Sequence, residues 1–224
     1  MQSQLKIGLF GTGLDTYWGQ FEGLLPRLLA YQQEICEGIE RMDIEVVNVG
    51  MVDSPSKAIE SALLLRQANV ELIFLFISTY ALSSTVLPVA REVGKPVIML
   101  NVQPTPSINY RKVNSMDDRG KMTGEWLAHC QACSVPEIGN VFNRANLRYD
   151  FVTGYLEDVD SWNEIDGWIE AAQTVNENGY ITKYNSDWKN GFSYWTKYLQ
   201  ERGMKMGVYY NPMWLTRAAY EQNL

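Results

Sequence analysis

Leu72-Ile73-Phe74-Leu75-Phe76-Ile77 is an unbroken apolar run that closes on two hydroxyls and a phenol, Ser78-Thr79-Tyr80. A strand with one wet face alternates apolar and polar residues, whereas a continuous run is what a strand buried on both faces requires. Residues 5–10, 45–49 and 96–102 are short runs of the same kind. Helical stretches lie between them. Residues 20–42 carry Leu24, Leu25, Leu28, Leu29, Ile35 and Ile39 on one face, residues 54–69 open with Ser54-Pro55 as cap and first turn, and residues 84–93 form a third. Gly94-Lys95-Pro96 stops that helix and starts the next strand. The order βαβαβαβ continues through a long helical region at 123–144, a fifth strand at 149–152 and a helix at 161–172. Such alternation implies right-handed crossovers and an α/β open parallel sheet covered by helices, Rossmann- or flavodoxin-like.

Composition narrows the function classes. The chain has 224 residues and a net charge of -7, and its basic residues are scattered, so no basic face is available for nucleic-acid phosphates. The N-terminal MQSQLKIGLF lacks a signal-peptide pattern, and no apolar run approaches the ~20 residues that span a bilayer, which predicts a soluble, cytoplasmic protein. Cys36, Cys130 and Cys133 include one Cys-X-X-Cys pair, read as lying inside the 123–144 helix. With only His129 and Cys36 as further ligand candidates, reduced and packed thiols fit better than a zinc or redox centre.

The chain changes character near Ala172. Residues 1–172 hold 13 Lys+Arg against 22 Asp+Glu, whereas residues 173–224 hold 6 against 4 and contain seven of the thirteen tyrosines. Either an aromatic-rich terminal subdomain follows, or two pieces of different ancestry join at 172–176.

Ligands of open α/β sheets gather at the carboxyl ends of the strands. The loop Gly11-Thr12-Gly13-Leu14-Asp15-Thr16-Tyr17-Trp18-Gly19 misses the dinucleotide spacing because Thr16 stands at the third glycine position, and the rings of Tyr17 and Trp18 suit a sugar face better than a pyrophosphate. Ser78-Thr79-Tyr80 and Asn101-Val102-Gln103-Pro104 add hydroxyl and carboxamide groups of the kind that hold hydroxyl-rich ligands, although these are also ordinary loop formers.

Those segments, together with Phe151-Val152-Thr153-Gly154-Tyr155, Glu125-Trp126-Leu127-Ala128, Val135-Pro136-Glu137-Ile138 and the stretch from Trp162 to Ala172, resemble the L-arabinose isomerase and L-fucose isomerase superfamily over about residues 4–172. The resemblance implies aldose-ketose isomerisation through an enediol, with a divalent metal, usually Mn2+, stabilising the enediolate. It also implies a monosaccharide ligand, a homo-oligomer, and Tyr17, Tyr80 and Gln103 as substrate-binding residues. The family's ligands are two glutamates and two histidines beyond the matched region. This chain has a single histidine, His129, so neither a catalytic residue nor a metal ligand is assigned within it.

After residue 172 the isomerase pattern is lost. A helix at 190–202 feeding Gly203-Met204-Lys205-Met206-Gly207-Val208-Tyr209 resembles the early barrel of α-galactosidase-type glycoside hydrolases. Residues 173–224 are therefore expected to form an appended αβ segment beside the 1–172 domain. Three outcomes are open: an isomerase-family chain without its metal site, a non-catalytic sugar-binding or oligomerising module, and an isomerase front joined to a hydrolase fragment. The first and third are compatible.

Overall fold

The structure is a computed structural model that describes residues 5–41 and 44–174. The segment expected at 173–224, with its 190–202 helix and 203–209 strand, therefore lies almost wholly outside the described residues. Two compact units divide the chain, Met1–Asp166 and Gly167–Leu224.

Among the described residues, five strands make the sheet: β1 Lys6–Thr12, β2 Glu45–Val52, β3 Leu72–Phe76, β4 Val97–Gln103 and β5 Tyr149–Tyr155. Their order is β2-β1-β3-β4-β5, and every neighbouring pair is parallel. The chain moves outward from β1 to β2, then returns to the far side of β1 to lay down β3. This reversal places a crevice at the carboxyl ends of β1 and β3, the position where doubly wound sheets take ligands. The expected α/β open parallel sheet is thus the observed fold.

The described helices are α1 Asp15–Trp18, α2 Leu24–Glu40, α3 Pro55–Ala68, α4 Ser83–Val93, α5 Tyr110–Asn114, α6 Arg119–Leu127, α7 Val135–Arg144 and α8 Val159–Thr174. Met51 and Val52 are neighbours in β2, point to opposite faces and join different apolar clusters. Val52 joins Ile73, Leu75 and Met99 with Leu65 of α3, Val86 of α4 and Phe142 of α7. Met51 joins Leu24 and Leu28 of α2 and Leu127 of α6, with Tyr17, Trp18 and Phe21 packed alongside. All of β3 is buried, as its unbroken apolar run requires, but only Val152 of β5 is. Edge strands have one neighbour and one well-covered face, so their runs are shorter and more polar.

The β1–β2 pairing contains one irregularity. Leu9 pairs with Asn48 and Gly11 with Met51, so β2 holds one extra residue there, and Gly50 takes φ +75° to absorb it. Buried Gln32 braces this bulge by donating to Asn48 Oδ1 at 2.7 Å and to the Gly50 carbonyl at 3.1 Å.

The long helix expected over 123–144 is corrected. Helix α6 ends at Leu127 and α7 begins at Val135, with Cys130-Gln131-Ala132-Cys133 in the non-helical turn between them. Tertiary hydrogen bonds outweigh helix continuity. The fully buried Gln131 side chain donates to the Ser78 carbonyl at 3.0 Å and the Ala128 carbonyl at 2.8 Å. Ser134 Oγ accepts from Ala81 N at 3.0 Å. Pro136 in the first turn of α7 then suits a fresh helix start. Among the described residues, no helix is long and apolar enough to cross a membrane.

Candidate functional site

The strand ends divide into rivets and a cavity. Ser78 Oγ donates to the Thr12 carbonyl, and Thr79 Oγ1 donates to the Leu127 carbonyl at 2.8 Å. Both side chains are fully buried, so the hydroxyls expected to face a ligand instead tie the end of β3 to β1 and α6. Asn101 Nδ2 likewise donates to Thr153 Oγ1 at 3.3 Å and links β4 to β5.

The first loop is closed by its own tryptophan. Trp18 Nε1 donates to Asp53 Oδ2 at 2.7 Å, and Lys57 Nζ holds the same oxygen at 2.8 Å. The indole covers Gly13 so tightly that a Cβ there would stand 2.7 Å from Trp18 Cζ2. Glycine at position 13 serves this packing rather than a phosphate cradle. Tyr17 meets Trp18 and Phe21 edge to face, with centroids 6.3 and 5.8 Å apart. Burial raises its phenol pKa, with smaller contributions from nearby Tyr80 and Cys130. Tyr80 Oη reaches Glu137 Oε2 at 3.5 Å, while Glu137 Oε1 accepts from Ser83 N at 3.0 Å and Ser83 Oγ at 2.8 Å at the start of α4.

Gln103, the last residue of β4, lines a cavity of about 390 Å³ with Ser107, Ile108, Tyr110, Trp126 and His129. Trp126 is 45% exposed and Tyr110 60%, so both rings are open to an incoming ligand. The imidazole is oriented by two contacts. Nδ1 lies 3.0 Å from the Glu125 carbonyl, which can only accept, so Nδ1 carries the proton and Nε2, 3.4 Å from Thr105 Oγ1, is an acceptor in the neutral ring.

An ion pair fixes the wall that carries Trp126 and His129. Arg27 of α2 grips Glu125 of α6 with both terminal nitrogens, at 2.6 and 3.2 Å, and donates through Nε to Tyr31 Oη at 2.6 Å. The Arg27 hydrogen bonds hold the Glu125 carboxyl below its ordinary pKa, against the opposing effect of burial.

Of the three sequence-predicted residues, Gln103 lines the cavity, whereas Tyr17 and Tyr80 lie near each other outside its lining. Tyr110, Trp126 and His129 were missed as site residues. The available signal was an aromatic three residues before the chain's only histidine, a spacing that a single turn brings together, as the His129 N to Trp126 carbonyl bond of 2.9 Å does. Among the described residues, no group of three or more His, Cys, Asp or Glu side chains could hold a metal ion.

Over 56 residues, a quarter of its length, the chain is 55% identical to the isomalto-dextranase of Arthrobacter globiformis. That relative is a glycoside hydrolase. The match covers 9% of the relative's own length, and no family model matches the chain. The sugar-isomerase resemblance is corrected by this finding, and the L-arabinose, L-fucose and Mn2+ expectations fall with it. The short motifs that carried it, Ser78-Thr79-Tyr80 and Asn101-Val102-Gln103 among them, sit where any open parallel sheet has strand ends. The Ser78 and Thr79 hydroxyls and the Asn101 amide nitrogen hold the sheet together, so they report architecture rather than chemistry.

Proposed function

We propose that this chain is a non-catalytic carbohydrate-binding α/β module that carries glycoside-hydrolase-related sequence, with its sugar site in the cavity at the end of β4. The carrying observation is the lining: two open aromatic rings, Tyr110 and Trp126, beside the Gln103 carboxamide and the oriented His129. Aromatic faces take the C–H surface of a sugar ring, while a carboxamide can donate to one hydroxyl and accept from another. A volume of about 390 Å³ falls within the range of small-molecule sites. Glycoside hydrolysis by the usual route needs two carboxyl groups across the bond, and this lining contains none among the described residues, which supports binding without cleavage. The relative's name suggests the ligand class, short isomalto-type glucosides. The hydrolase resemblance drawn on residues 191–209 is to the same class of enzyme, though those residues lie outside the described part. Tyr17 and Tyr80 are proposed as outer contacts for a longer saccharide.

Calorimetric titration of the full chain with isomaltose and isomaltotriose tests this reading. Saturable binding is expected, with Trp126→Ala weakening it about tenfold, or ~1.4 kcal/mol. Absence of binding to either saccharide, or equal affinity in Trp126→Ala, would remove the proposed site. Release of reducing ends from dextran would overturn the non-catalytic assignment.

A further inference from the structure

We propose that Cys130 and Cys133 are a redox-active pair that closes to an intramolecular disulfide, with glutathione disulfide as the oxidant, and that the turn they bracket reports this state to the strand ends. The inference is independent of the sugar reading. Three placements carry it. The two cysteines stand three positions apart in a single turn. They stand in the turn between α6 and α7, where the backbone is free of helical constraint. Finally, Cys133 is exposed while Cys130 is buried, so an oxidant in solution meets one sulfur and the other waits behind it. The third cysteine, Cys36 of α2, is buried in another part of the fold.

The chemistry proceeds in two exchanges. The Cys133 thiolate attacks one sulfur of glutathione disulfide, whose S–S bond breaks, and one glutathione thiolate leaves. Cys130 then gives its proton to solvent and attacks the Cys133 sulfur, expelling the second glutathione. Two protein thiols are oxidised, and one glutathione disulfide is reduced to two thiols. Burial, the largest cause, raises the Cys130 thiol above its ordinary value, and that effect does not depend on a free Cys133. The second exchange is therefore the slow one, and its rate should rise about tenfold per pH unit with the thiolate fraction.

The turn is wired to the sheet. Gln131, between the cysteines, donates to the Ser78 and Ala128 carbonyls, and Ser134, directly after Cys133, accepts from Ala81 N. Closing a ring across Gln131 and Ala132 constrains the backbone from which these bonds are made. Hydrogen exchange at the Ala81 amide reads that change directly.

The test treats the purified full chain with glutathione disulfide over a range of pH, traps free thiols by alkylation and maps them by mass spectrometry. The expected product has a Cys130–Cys133 bond and a free Cys36, with closure accelerating about tenfold per pH unit between neutral and mildly alkaline conditions. Cys130→Ser should stop at a glutathione adduct on Cys133, and Cys133→Ser should leave Cys130 unmodified. An adduct that persists in the unsubstituted protein without closing even under mildly alkaline conditions, or pairing of Cys36, would overturn the dithiol. Unchanged exchange at Ala81 after oxidation would overturn its coupling to the strand ends.

Discussion

Gly38→Ala sets helix propensity against packing in a single methyl group. Gly38 is the third residue from the end of α2, and alanine is the better helix former by up to about 1 kcal/mol, so propensity alone predicts a more stable protein. The structure predicts the reverse. A Cβ at position 38 would stand 2.1 Å from Cη2, 2.6 Å from Cζ3 and 2.9 Å from Cζ2 of Trp162. The indole cannot bend, and its Nε1 is tethered to the Leu156 carbonyl at 2.7 Å, so relief requires moving the whole ring or the helix. Overpacking of this kind costs about 1–3 kcal/mol, and loss of the indole hydrogen bond adds about 1 kcal/mol. Set against the propensity gain, the net expectation is destabilisation by about 1–3 kcal/mol. That corresponds to a fall in Tm of roughly 2–4 °C per kcal/mol for a protein of this size. Urea unfolding of wild type, Gly38→Ala, Trp162→Ala and the double variant reads the interaction. In the Trp162→Ala background, the alanine at 38 should become neutral or stabilising. Gly38→Ala alone raising stability, or an equal penalty with and without the indole, would refute the contact between α2 and Trp162.

Two further expectations concern stability. Glu125→Gln breaks the bidentate pair that holds α6 to α2 and should destabilise by about 1–2 kcal/mol at neutral pH, after allowance for partial solvent screening. Because the folded carboxyl titrates below its ordinary value, the wild-type advantage is full above the unfolded glutamate pKa and disappears as pH falls through the lowered folded one; a gap that widens in acid would contradict this. Gly94→Ala, at φ +66° where α4 ends, should lower stability by about 1 kcal/mol in the same assay, and an unchanged midpoint would show that another cap takes over.

The sheet was legible because each strand carries its own signature. The run at 72–77 needs burial on both faces, and Ser54-Pro55 and Gly94 mark helix ends through local geometry alone. The connection from 104 to 134 was read less well. Asn109 and Asp118 cap α5 and α6 by accepting from Lys112 N and Lys121 N, but both helices are short, and their caps are common loop residues. The break after Leu127 had one local mark, Pro136, while the bond from the Gln131 side chain to the Ser78 carbonyl, 53 positions away, leaves no trace in the local sequence.

The site shows the same division. Gln103 was found because it ends a strand, whereas Trp126 and His129 were passed over as helix residues. They line the cavity because α6 stops at Leu127 and because Arg27, 98 positions before Glu125, pins that helix in place. Sequence by itself determined the parallel sheet, since burial periodicity and chain breakers act over a few residues. Tertiary structure decided which polar groups are left for a ligand. The Ser78 and Thr79 hydroxyls and the Asn101 amide nitrogen are used inside the fold by partners from other segments, and no local pattern records a hydrogen bond made across it.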